Sequence, residues 1–214
     1  MAVRIVSVML VDDHVLVRKG FRLLLEDAPD LRVVNEAGSG EEACRSYSEH
    51  LPDVVVMDIS MPGIGGIEAI SRLVTRHPAA RVLALSAHED TVHAKRALAA
   101  GASGYVSKRS APEALIEAIR NVAAGRKVID PQIAQQLAFG QFSAVQSPVD
   151  VLSDREFEVF MQIANGRQVA EIAEILSLSP STVGTHLYNI KHKLGAANSA
   201  ELAMIAVRSG LIDP

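Results

Sequence analysis

One cysteine, Cys44, is the only thiol in 214 residues. No internal disulfide framework can form, and the chain suits a reducing compartment, so the expected location is the cytoplasm. Long apolar runs are also missing: none approaches the ~20 residues that a membrane-spanning helix needs, and no membrane association is expected. Asp12-Asp13 interrupts the first apolar stretch, which speaks against a secretory signal. The seven histidines show no metal-ligand spacing. Positive charge is not in excess either. The 21 Lys and Arg stand against 25 Asp and Glu, a net charge of −4, so nucleic-acid binding cannot be argued from overall basicity. What is present is a core-forming composition, 49% hydrophobic and 21% charged, over a length that fits one large or two small domains.

The first ~125 residues alternate short β-branched runs with helical patterns, the signature of βα units around a parallel sheet. Strands are expected over 6–11, 31–37, 54–57, 82–85 and 104–107, and helices over 15–27, 40–50, 66–76, 91–100 and 112–124. Val54-Val55-Val56-Met57 and Val82-Leu83-Ala84-Leu85 are apolar throughout, as strands covered on both faces must be. Five such units predict an open, doubly wound α/β domain with a five-stranded parallel sheet over 1–125. Residues 126–150 hold a short helix, 131–139, and a linker rich in Gln, Ser and Pro, 140–150. From 151 to 214 no strand pattern occurs, and four helices are expected over 153–165, 169–176, 180–194 and 199–209.

In doubly wound sheets, chemistry gathers beyond the carboxyl ends of the strands. The polar residues there are Asp12, Asp13, Asp58, Ser86 and Lys108. If the sheet is parallel, three carboxylates meet, and a hard divalent cation such as Mg²⁺ is the natural compensation. A carboxylate can also attack phosphorus to give an aspartyl-phosphate. Lys108 would then balance the phosphoryl charge and Ser86 would donate a hydrogen bond to it. Taken one by one, these residues are as well explained by a helix cap, a turn and a solvated lysine; their joint placement at four strand ends is what favours a site.

Asp12-Asp13-His14, Met57-Asp58-Ile59-Ser60-Met61-Pro62-Gly63, Ala84-Leu85-Ser86-Ala87 and the run from Gly101 to Lys108 resemble the receiver motifs of two-component response regulators. The resemblance implies a flavodoxin-like fold and Asp58 as phosphoacceptor. It implies Asp13 as direct metal ligand, Asp12 acting beside it, and Ser60 contributing its backbone carbonyl. Ser86 and Tyr105 would be a switch pair, and Lys108 the phosphoryl-binding lysine. Arg109 departs from the pattern, since many receivers carry proline there. A phosphohydrolase of the haloacid-dehalogenase type would want a second carboxylate two residues after the nucleophile; that position is Ser60, so a self-standing enzyme is not expected.

Ser179-Pro180 is a strong helix start, with Ser179 as N-cap and Pro180 in the first turn. Val183, Leu187, Ile190 and Leu194 then recur at helical spacing and define a buried stripe. The opposite face carries Ser181, Gly184, Thr185, Tyr188, Lys191 and His192. Helix, tight turn and helix with a polar outer face is the arrangement that lays a helix in the major groove, although a plain helical bundle has the same pattern. Leu152-Ser153-Asp154-Arg155-Glu156, Glu171-Ile172-Ala173, the run from Leu178 to Val183, Lys193-Leu194 and Gly210-Leu211-Ile212 resemble the LuxR-type helix-turn-helix domain. With the receiver, the resemblance is to the NarL/FixJ class over nearly the whole chain. The run from Pro131 to Leu137, with Ser147-Pro148, is more narrowly similar to the GacA/UvrY subgroup.

That resemblance implies a phosphorylation-controlled transcription regulator with three expected partners: a sensor histidine kinase, double-stranded DNA, and a second copy of itself on activation. Ser181, Thr182, Gly184, Thr185, Tyr188, Lys191 and Lys193 are the candidate DNA contacts. Gly184 and Tyr188 stand where the family often has basic residues, and 151–214 holds five Lys/Arg against seven Asp/Glu. Weak binding by a monomer is therefore expected. The same charge balance leaves open a module that binds protein or RNA instead.

Overall fold

The computed structural model describes residues 4–87, 91–142 and 148–212. The chain divides into two compact units, Met1–Ala138 and Phe139–Pro214. Of the expected linker, 143–147 lie outside the described residues. No helix among the described residues is long and apolar enough to cross a membrane.

In the first unit, β1 (Val6–Val11), β2 (Leu31–Ala37), β3 (Val54–Asp58), β4 (Val82–Ser86), β5 (Gly104–Ser107) and β6 (Val128–Ile129) form one parallel sheet in the order β2-β1-β3-β4-β5-β6. The helices are α1 (Val15–Glu26), α2 (Gly40–His50), α3 (Gly65–Arg76), α4 (Thr91–Ala99) and α5 (Pro112–Ala123), followed by α6 (Pro131–Phe142). β3 and β4 are buried at every position, which explains why their sequences do not alternate. Two apolar clusters cover the two sheet faces. One gathers Met9, Val55, Met57, Ile70 and Tyr105; the other gathers Val8, Leu10, Val56, Leu85 and Ile119.

The sheet has six strands where the sequence pattern indicates five. β6 is only two residues long, too short to show a period, and pairing identifies it: Gly104 lies opposite Val128 and Tyr105 opposite Ile129. Asp130 N–H donates to the Tyr105 carbonyl (2.9 Å), and Ile133 of α6 is buried in the cluster that holds Tyr105.

The second unit is helical, with a 3-10 turn at Pro148–Val151, then α7 (Asp154–Ala164), α8 (Val169–Ile175), α9 (Pro180–Leu194) and α10 (Ser199–Arg208). Ser153 and Glu156 close a capping box at the start of α7. At α9, Ser179 Oγ accepts from Thr182 N–H (3.1 Å), and Gly195 ends the helix in the left-handed conformation. The apolar stripe of α9 faces inward: Val183 and Ile190 are buried, Leu187 and Leu194 half-buried.

Candidate functional site

Parallel pairing brings four strand ends to one edge. Val11 lies opposite Met57, Asp58 opposite Leu85, and Ser86 opposite Ser107. Asp12 therefore leaves β1 beside Asp58, and Lys108 leaves β5 two strands away, where its N–H donates to the Ser86 carbonyl (2.6 Å). The lysine then reaches across: Lys108 Nζ donates to Asp12 Oδ2 and to Asp58 Oδ2, each at 2.7 Å. Both carboxylates are nearly inaccessible, at 3% and 2% exposure.

Oxygens of Asp12, Asp13 and Asp58 and a ring nitrogen of His14 lie within 4.8 Å of one another. At that spacing two like charges repel by about 3 kcal/mol at an effective dielectric near 20. One lysine cannot offset three carboxylates. Asp13 Oδ1 is buried and accepts no hydrogen bond, although His14 Nδ1 lies 3.1 Å away. A buried carboxylate oxygen without a donor, in an oxygen-rich group with surplus negative charge, fits a hard divalent cation. Burial is the largest influence on Asp58 and raises its pKa; Lys108 and the Ser60 N–H oppose it, and Asp12 adds to the rise. Lys108 in turn is held above its ordinary value, because Asp58 and Asp12 outweigh the burial that disfavours its charge.

Ser60 is exposed just past Asp58, and its N–H donates to Asp58 Oδ1 (3.0 Å). Ser86 and Tyr105 are fully buried on neighbouring strands. Arg109 needs no proline to shape the turn, since its N–H donates to Ser107 Oγ (3.1 Å). Two neighbours are given no role by the sequence. His14, at the head of α1, joins the acidic group, and Arg18 donates from α1 to the Asp12 carbonyl.

On α9, Ser181, Thr182, Gly184, Thr185 and Tyr188 are all exposed, Tyr188 at 71%. Space around Gly184 is open: a Cβ there would meet nothing within 4 Å. Thr182 and Thr185 already make local hydrogen bonds, to Ser179 and to the Ser181 carbonyl. Lys191 is half-buried. Lys193 reaches back to Glu156 Oε2 (2.6 Å), so a phosphate contact there competes with an internal ion pair. That pair joins residues 37 positions apart, which no local pattern can reveal.

Two family descriptions match the chain: "Response regulator receiver domain" over residues 8–120, and "Bacterial regulatory proteins, luxR family" over 150–206. The chain is 44% identical over 210 residues to the response regulator GacA of Pseudomonas viridiflava, covering 97% of this chain and 98% of that one. It is 41% identical over 208 residues to the response regulator UvrY of Escherichia coli (strain K12), covering 96% and 95%. Among solved structures it is similar to RcsB from Salmonella enterica serovar Typhimurium bound to promoter rprA in the presence of phosphomimetic BeF3⁻. That match has a TM-score of 0.67 and 25% identity, and covers 94% of this chain and 98% of that one.

Proposed function

The chain belongs to the two-component response regulators that join a receiver domain to a LuxR-type DNA-binding domain, and we propose that its switch is the phosphorylation of Asp58. The carrying observation is Lys108 Nζ held 2.7 Å from both Asp12 and Asp58 beside the unsatisfied oxygen of Asp13. An Asp58 oxygen forms the new O–P bond as the N–P bond to a partner histidine kinase breaks, and the kinase imidazole leaves with the electron pair. Asp12, Asp13, Asp58 and the Ser60 carbonyl would hold Mg²⁺. The ion would offset their mutual repulsion and the charge of the phosphoryl group. Lys108 exchanges part of its contact with Asp58 for the phosphoryl oxygens, and Ser86 donates to them.

The phosphoryl group carries about −2 charge where the free carboxylate carried −1, and brings strong acceptor oxygens; it shifts Ser86 and then Tyr105, and with them the α4–α5 face. Two phosphorylated copies pair and present two α9 helices to half-sites roughly one helical turn apart on double-stranded DNA. Ser181, Thr185 and Tyr188, exposed on α9, would meet base edges, and Lys191 with the first amides of α9 would meet phosphates. RcsB bound to promoter rprA in the presence of phosphomimetic BeF3⁻ supports, by similarity, DNA binding by the phosphorylated form. The protein acts through binding and its own modification, with no substrate to turn over.

Incubating the full chain with acetyl phosphate and Mg²⁺ should add one phosphoryl group by intact mass, and Asp58→Asn should add none. No gain, or an equal gain in the variant, overturns the assignment. Salt-dependent binding to duplex DNA, tightened by phosphorylation, separates this reading from a protein- or RNA-binding module.

A further inference from the structure

The Asp12–Asp13 segment turns away from the sheet at the one place where its geometry matters most. Asp12 N–H makes the last ladder bond, to the Ala37 carbonyl of β2 (3.1 Å). Its own carbonyl points away from the ladder and is taken by Arg18 Nη1 from the second turn of α1. The carbonyl of Asp12 and the N–H of Asp13 share one rigid peptide plane. Whatever fixes that carbonyl therefore fixes the plane that carries Asp13 Cα, and narrows the directions open to the Asp13 side chain.

Arg18 is itself braced. Its Nε donates to Glu36 Oε2 (3.0 Å), and Glu36 sits on β2 opposite Leu10 of β1. The other Glu36 oxygen accepts from Arg22 Nη1 (2.6 Å). Arg22 is the largest cause that keeps the Glu36 carboxyl below its ordinary pKa, with Arg18 adding to it, so Glu36 stays charged. Arg18 is only 16% exposed. The Arg18 charge is matched by Glu36 at its back, so its main effect on the acidic group is geometric rather than electrostatic. Asp13 Oδ1 meanwhile remains buried and accepts no hydrogen bond, with only His14 Nδ1 near it at 3.1 Å.

We infer that Arg18, braced by Glu36, is a positioning residue for cation uptake: it locks the Asp12–Asp13 peptide so that the Asp13 carboxylate is preset toward the cation. The inference rests on the acidic group being the metal site of the phosphorylation switch. It reaches no reacting atom and acts only through Asp13.

The test uses the full chain and Mn²⁺ as probe, with bound ion measured from the loss of free-Mn²⁺ paramagnetic resonance signal. The Mg²⁺ midpoint for acetyl phosphate labelling is read in parallel. Outer-shell partners of metal ligands typically contribute 10–100-fold in affinity, so Arg18→Ala should weaken Mn²⁺ binding about tenfold. The Mg²⁺ midpoint should rise by a similar factor, and labelling at saturating Mg²⁺ should fall by less. Arg18→Lys should recover part of the loss, because an ammonium can reach the Asp12 carbonyl but lacks the fork that holds Glu36 at the same time. Glu36→Gln should fall between. A lower melting temperature with unchanged Mn²⁺ affinity in Arg18→Ala would reduce Arg18 to a brace of α1 and overturn the inference. Should Arg18→Ala fail to fold, unchanged Mn²⁺ affinity in both Arg18→Lys and Glu36→Gln overturns it equally. Wild-type protein that binds Mn²⁺ but takes no phosphate contradicts the phosphorylation reading alone. Wild-type protein that binds no Mn²⁺ removes both.

Discussion

Adding one methyl group at Gly66 should damage the site through the backbone rather than through any side chain. Gly66 lies in the first turn of α3, and its N–H donates to the Ile59 carbonyl (3.2 Å). A Cβ there would sit 2.0 Å from the Asp58 carbonyl oxygen, 2.5 Å from Ile59 Cα and 2.8 Å from Asp58 C. Ordinary contact begins at 3.4 Å, and all three atoms are backbone, so no rotamer change relieves the clash. Either α3 retreats by more than an ångström, uncovering Ile67, Ile70 and Leu73, or the end of β3 moves and carries Asp58 away from Lys108. Overpacking of this kind costs ~1–3 kcal/mol and sometimes more. Alanine returns roughly 1 kcal/mol in helix propensity, and because the clash is with backbone on three atoms the upper end of that range applies, which leaves a net loss of up to about 2 kcal/mol. For a unit of this size a loss of that order lowers the melting temperature by roughly 7 °C. Scanning calorimetry of the full chain measures it, and intact-mass labelling with acetyl phosphate should slow in the same variant. A Gly66→Ala protein with unchanged melting and unchanged labelling would refute the claim that α3 is packed on the Asp58 backbone.

The same substitution at Gly184 should have the opposite sign. Its surroundings are open and its backbone helical, so Gly184→Ala should stabilise the second unit by about 1 kcal/mol in urea denaturation. Gel shifts of Gly184→Ala and Gly184→Lys then report on DNA: loss in both supports close approach of the helix to the duplex, and tighter binding in both refutes it. Tyr188→Ala should leave stability within about 0.5 kcal/mol, since the ring is 71% exposed, yet weaken duplex binding about tenfold by fluorescence anisotropy. Burial alone would raise the pKa of Glu156, but the Lys193 ammonium and the Ser153 groups outweigh it and hold the carboxyl below its ordinary 4.5. A depressed folded-state value means stability that is present above pH 4.5 and lost as pH falls through the lower folded value. Lys193→Ala should therefore cost about 1 kcal/mol at pH 7, since the lysine end of the pair is 39% exposed and screened by solvent. The gap to wild type should narrow only below pH 4.5. A gap that stays constant down to pH 3 would show that the ion pair contributes nothing.

What could be read from the sequence were features that repeat or punctuate: apolar runs too uniform for a half-exposed strand, the Ser179-Pro180 helix start, and polar residues standing where those runs stop. They are legible because they depend on neighbours a few residues away. The contacts that finish the structure join distant positions and leave no period. Lys193 meets Glu156, and Arg18 meets Glu36, through side chains long enough to cross between elements. Two-residue β6 is the plainest case, because its existence is decided on its partner strand. At Gly104 a Cβ would stand 2.7 Å from the Val128 carbonyl oxygen and 2.9 Å from Leu83 Cδ1. Only a residue without a side chain lets the sixth strand close on the fifth. Once it has closed, Asp130 N–H reaches the Tyr105 carbonyl, and Asp130 also accepts from Ser110 Oγ (2.9 Å) and Gln132 N–H (3.0 Å) at the start of α6. Gly104 is thus what allows the start of α6 to be anchored on the strand that carries Tyr105.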